Sequence, residues 1–159
     1  MMKHALTALA LTFALPACAQ TSTPQTAIAP PRPEPVAEAL PYSPVIVSGE
    51  TIYLAGHLGF VPGTRDYPDG GIGPQTTQTL ENIGATLATV GASHADLVRC
   101  QVFLSDIDDF GEMNAAYREF FPATPPARTT VAVAGLAADA LIEIECTGTV
   151  GHSTPSSSD

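Results

Sequence analysis

Beyond residue 40, the apolar positions of this 159-residue chain change period several times. Residues 44–47 (PVIV) and 51–54 (TIYL) are short runs rich in β-branched and aromatic side chains. Ser48-Gly49-Glu50 separates them, which is the pattern of a β-hairpin. After a loop rich in Gly and Pro, Thr76, Leu80, Ile83, Leu87 and Val90 recur at helical spacing up to Gly91, a natural helix stop. Residues 97–104 read as a strand, and Phe110, Met113, Tyr117 and Phe120 as the stripe of a second helix. Residues 129–134 and 141–150 read as two further strands. The predicted order is β-β-α-β-α-β-β, an α+β domain in which two helices cover one face of a mixed sheet. The opposite sheet face then needs another cover, and an oligomer interface is the simplest one.

The flanks follow different rules. Residues 1–19 carry Lys3, an apolar run over residues 5–15 and small residues around Cys18, the pattern of an export signal. The run is shorter than the ~20 residues that span a bilayer. Two processing readings stay open. Leu15-Pro16-Ala17-Cys18 resembles a bacterial lipobox, which would lipidate Cys18, whereas Ala17-Cys18-Ala19 fits ordinary cleavage before Gln20. Residues 20–40, with five prolines, read as a linker, and residues 151–159 as a polar tail, leaving 41–150 as the domain. The expected location is outside the cytoplasm, periplasmic or lipid-anchored to the bacterial envelope, with membrane contact only through that lipid.

Composition removes several function classes. A hydrophobic content of 45% suits one packed core, and a net charge of −10 disfavours nucleic acid and anionic membranes as partners. Removal of the signal takes away Lys3, the only lysine, and with it Schiff-base and pyridoxal-phosphate chemistry. There is no CxxC and no metal-ligand spacing among His57, His94 and His152, so no metal is expected. Cys100 and Cys146 both fall inside predicted strands; buried free thiols are the expected state, with a bridge between them the alternative that sequence alone does not test. No nucleophile elbow, Walker loop or dinucleotide fingerprint is present.

What remains is a small set of polar residues in apolar surroundings. Arg128 is the only charged residue between Glu119 and Asp139, and it follows the stiff pair Pro125-Pro126 at the start of a strand. Its planar fork suits a carboxylate in two parallel hydrogen bonds, although a structural salt bridge would also satisfy it. Glu143 and Glu145 alternate with Ile142 and Ile144 and share one strand face, either as solvated groups or with one of them activating a water. Tyr42, fixed between Pro41 and Ser43-Pro44, could wall a pocket or simply pack. Asn114 and the pair Gly56-His57 are equally ambiguous.

In combination these residues are more specific. Pro41-Tyr42-Ser43, Ile52-Tyr53-Leu54-Ala55-Gly56, Leu80-Glu81-Asn82-Ile83, Val102-Phe103-Leu104-Ser105-Asp106, Asn114 with Tyr117, Pro126-Ala127-Arg128-Thr129-Thr130-Val131 and Ile142-Glu143-Ile144-Glu145 occur in one order over residues 41–149. Together they resemble the Rid family, also called YjgF, of reactive-intermediate deaminases. The resemblance implies a chorismate-mutase-like fold, a homotrimer with pockets between subunits, and cofactor-free hydrolysis of small 2-imino acids or enamines to 2-keto acids and ammonia. Position by position it implies that Arg128 binds the substrate carboxylate and Glu143 positions the water. Tyr42, Gly56, Asn114 and Thr130 would contact the substrate. His57, Pro44-Val45 and Ala132 depart from the family pattern near the implied pocket and bear on substrate range. The expectation from another class is a non-catalytic periplasmic module that binds small carboxylates through Arg128.

Overall fold

The computed structural model describes residues 26–28 and 40–151, and the signal, Cys18 and the tail beyond 151 lie outside them. The strands are β1 (Thr26–Ile28), β2 (Val45–Ser48), β3 (Thr51–Leu54), β4 (His57–Leu58), β5 (Leu97–Leu104), β6 (Ala127–Ala132) and β7 (Ile142–Thr149). The helices are α1 (Ile72–Ala88) and α2 (Phe110–Phe120). One sheet runs in the order β1-β2-β3-β7-β5-β6, with β4 also on β7. Among the described strands only β5 and β6 pair in parallel, so the sheet is mixed as expected. One strand falls inside the predicted linker: β1 pairs antiparallel with β2. Its Thr-Ala-Ile sequence is a proline-free gap between Pro24 and Pro30, and an edge strand needs backbone partners on one side only.

The local chemistry explains the boundaries. β2 and β3 are joined by a two-residue turn in which Gly49 takes φ +61. Pro74 sits in the first turn of α1, where its missing N–H costs nothing. That helix ends with Gly91 at φ +73, and the Ala92 N–H donates back to the Leu87 carbonyl. One strand face carries Ile52, Leu54, Cys100, Val102, Leu104, Ile142 and Ile144, which pack beneath Leu80, Ile83 and Leu87 of α1 and Met113 and Tyr117 of α2. The other face exposes Tyr53 and Val131 among its residues.

Two details were not in the sequence pattern. β3 pairs Tyr53 with Thr147 and β4 pairs His57 with Ile144, so four steps on one side oppose three on the other. This bulge at residues 54–56 inverts the alternation, turning His57 inward and Leu58 outward. The second detail corrects an expectation. Cys100 and Cys146 are not free thiols but form a disulfide, buried between β5 and β7. They are direct cross-strand partners with Cα atoms 4.1 Å apart, within bridging reach once β7 inserts between β3 and β5. The sequence places β6 between these strands, so their adjacency is a product of topology.

Candidate functional site

Arg128 stands second in β6, opposite Cys100 of β5, and therefore projects toward the helices. There, α2 presents three residues to it. One terminal nitrogen donates to Asn114 Oδ1, the other approaches Met113 Sδ at 3.7 Å, and the guanidinium carbon lies 4.5 Å from the Tyr117 ring centroid. The spacing 113, 114 and 117 puts these side chains on one helix stripe. All three partners are neutral. The half-buried cation thus keeps N–H groups for an anion, and among the described residues no salt bridge holds it. Arg128, Asn114, Tyr117, Arg118, Phe121, Pro125 and Pro126 line a cleft of about 330 Å³, large enough for a small metabolite. Tyr117 itself is buried, and burial pushes its phenol up to about 12 while the neighbouring Arg128 charge pulls the other way, so it stays protonated at neutral pH.

Glu143 belongs to a different environment. It pairs with Phe103 and with Leu58, on the sheet face away from the helices. Burial first, and then the charge of Glu145, raises its carboxyl above the ordinary range. The Glu143 side chain lies directly over Gly56: a Cβ added there would stand 2.8 Å from Glu143 Cδ and closer still to Oε1. Tyr67, whose phenol is raised by burial and by the charges of Asp139 and Glu143, donates to the Ala138 carbonyl at 3.1 Å.

Of the residues singled out by sequence, the fold therefore assembles two pairs, Arg128 with Asn114 and Glu143 with Gly56, on opposite faces of one sheet. It does not bring Arg128 and Glu143 together within a single chain. Thr130 is two residues beyond Arg128 on the same face, with its hydroxyl buried and without a partner. Tyr42 is exposed just ahead of β2 and does not line the Arg128 cleft. His57, expected near the pocket, points into the helix layer instead. Its ring nitrogens meet the Ala55 carbonyl at 2.8 Å and Thr86 Oγ1 at 2.9 Å, and burial holds it below the usual histidine range. Ala132 is at the far end of β6, opposite Leu104. Met113 and Tyr117 belong to the apolar stripe of α2, and their contact with Arg128 emerges once α2 lies over β6. A larger groove of about 520 Å³ between the helices, lined by Glu81, Glu112 and Glu119, holds none of the predicted site residues.

Comparison with known proteins gives the chain's relatives. A family model described as Endoribonuclease L-PSP matches residues 32–150. The chain is 39% identical over 110 residues to Reactive Intermediate Deaminase A, chloroplastic, of Arabidopsis thaliana, covering 69% of this chain and 59% of that protein. It is 35% identical over 117 residues to the 2-iminobutanoate/2-iminopropanoate deaminase of Bos taurus, covering 74% of this chain and 85% of that one. Among solved structures, the YjgF gene product of E. coli superposes with a TM-score of 0.67 at 34% identity, over 79% of this chain and 95% of that chain.

Proposed function

Because the chain belongs to the Endoribonuclease L-PSP family, the Rid or YjgF family that its motifs resemble, we propose that it is a deaminase hydrolysing small 2-imino acids and their enamine tautomers, of the 2-iminopropionate and 2-iminobutanoate type, to 2-keto acids and ammonia. The observation that carries the proposal is the half-buried Arg128 guanidinium, whose partners in its cleft among the described residues are all neutral. Relatives bearing deaminase names, and an acid at Glu143, favour catalysis over carboxylate binding alone. The family's ribonuclease description has less support here, since a chain of charge −10 offers little that would track a phosphate backbone.

In this reading Arg128 clamps the substrate carboxylate and fixes the plane of the C=N bond. Glu143 accepts a hydrogen bond from a water and directs its oxygen at the imine carbon. Addition gives a carbinolamine, whose collapse forms the keto C=O bond and breaks the C–N bond, releasing ammonia that leaves protonated. No step needs a cofactor or covalent intermediate. Since Arg128 and Glu143 occupy opposite faces, the site requires a second copy to bring its Glu143 cluster against the Arg128 cleft. The exposed Tyr53 and Val131 on the open sheet face suit such an interface, and the assembly proposed is a homotrimer. Tyr42 and Gly56 would join the site from that side.

Export belongs to the same proposal. The buried Cys100–Cys146 bridge supports maturation in an oxidising compartment, consistent with the signal-like residues 1–19. The mass of the mature N-terminus tests this: a start at Gln20 or an acylated Cys18 supports export, whereas a retained Met1 refutes it. The catalytic reading is tested by generating 2-iminopropionate with an amino-acid oxidase and comparing keto-acid formation by wild-type and Arg128→Ala protein. Rates equal to spontaneous hydrolysis for both would overturn it.

A further inference from the structure

Tyr117 is a core residue by pattern and burial, yet two features set it apart from the aliphatic core around it. Its ring lies under the Arg128 guanidinium, 4.5 Å from centroid to Cζ, while its buried hydroxyl has no hydrogen-bond partner. The unpaired hydroxyl is a cost that the ring contact does not explain; that contact belongs to the ring face, which Phe would also present. The ring is itself fixed from behind, tilted against Phe121 at 4.9 Å, and Phe121 packs on Phe120 at 5.4 Å. The guanidinium thus rests on a braced aromatic platform at the floor of the cleft, with Asn114 Oδ1 and Met113 Sδ holding its edges.

We propose that Tyr117 is a positioning residue for the carboxylate clamp: its ring face, through a cation–π contact, fixes the plane in which Arg128 presents its free N–H groups to the substrate. The proposal rests on the deaminase reading for its catalytic consequence, but the contact exists without it. Two interactions explain the choice of arginine over lysine here. A planar cation stacks on a ring and still offers its edge to an anion, which a spherical ammonium cannot do. The platform also removes rotamer freedom from a long side chain before the ligand arrives, so less ordering remains to oppose binding.

The test weakens the ring's electrostatics without changing its shape. Tyr117→Phe serves as the reference, and phenylalanines bearing one, three and five fluorines at position 117 reduce the negative ring face stepwise. The proposal expects pyruvate affinity, read by calorimetry, to fall stepwise by about five- to tenfold across the series. The kcat/KM for 2-iminopropionate should fall in parallel, with the loss in KM rather than kcat. The Arg128 Nε–Hε resonance, assigned by its disappearance in Arg128→Lys, should lose its ring-induced shift and broaden in Tyr117→Leu and recover in Tyr117→Phe. A flat fluorine series, or an Arg128 resonance unchanged by Tyr117→Leu, would overturn the proposal. An inactive wild type refutes the deaminase reading alone, because the arginine resonance still reports on Tyr117 without substrate.

Discussion

Gly56→Ala is the smallest change that separates Glu143 from its place. The backbone at Gly56 is outside the left-handed region, so alanine can adopt it, and the effect reduces to one methyl group. That methyl would stand 2.8 Å from Glu143 Cδ, so the carboxylate must swing away. Because the obstacle is the end of a flexible side chain, displacement costs about 0.5–1.5 kcal/mol in rotamer energy. The loss of glycine's freedom in the unfolded chain offsets about 0.4–1 kcal/mol of this. Net stability should change by less than about 1 kcal/mol, a melting shift of at most roughly 5 °C. Catalysis should suffer far more, since a displaced acid forfeits on the order of 10²-fold. The assay pairs calorimetric melting with kcat/KM for 2-iminopropionate, in a cycle with Glu143→Gln. In the Glu143→Gln background, Gly56→Ala should add almost nothing. A Gly56→Ala protein with a normal melting temperature and kcat/KM within twofold of wild type would refute the role given to Glu143.

Two further outcomes follow from the same geometry. Glu143 is raised by burial and by Glu145, so the folded state holds its proton more tightly than the unfolded chain does; stability contributed by this group is present at low pH and is lost as pH rises through its folded value. Glu143→Gln should therefore lose the acid limb of the kcat/KM profile, which in wild type lies above the ordinary carboxylate range, and should flatten the fall of melting temperature across that same window. Cys100→Ser should destabilise the domain by about 3–4 kcal/mol, from the loop closed over a sequence separation of 46, or roughly 10–15 °C in melting temperature. Mass spectrometry of the alkylated native and reduced chains checks that the bridge is present; two free thiols in protein matured outside the cytoplasm would contradict it.

Much of the fold was legible because each element announces its own period. The hairpin, both helices and the strands that carry Arg128 and Glu143 came from local alternation and from Gly91, with boundaries that match or shift by at most four residues. The short β4 could not be read, as two residues carry no period, and the bulge before it depends on pairing with β7. That bulge is why His57, which follows Gly56 in the chain, turns away from Glu143 and into the helix layer. The disulfide was misjudged for a related reason: the sequence marks Cys100 and Cys146 as strand residues but says nothing of β7 inserting beside β5. Arg128 stood out as a lone charge, yet its tie to Tyr117 and Met113 needed α2 laid over β6. The same topology separates Arg128 from Glu143 on opposite faces, a fact invisible in their strand assignments and decisive for how a site could form.

In the proposed reaction, Arg128 binds the carboxylate of an imino acid that a second copy's Glu143 helps to hydrolyse. Mixing two inactive variants tests it most directly. Arg128→Ala and Glu143→Gln should each lose about 10²-fold or more in kcat/KM for 2-iminopropionate, as expected from a lost charged clamp and a lost acid. After co-refolding, mixed assemblies contain some interfaces that pair an intact Arg128 cleft with an intact Glu143. From equal amounts of the two variants, activity should recover to about a quarter of wild type, on the order of the share of wholly intact interfaces that random assembly gives. No recovery, from mixtures that sizing and mass show to be assembled, would contradict it.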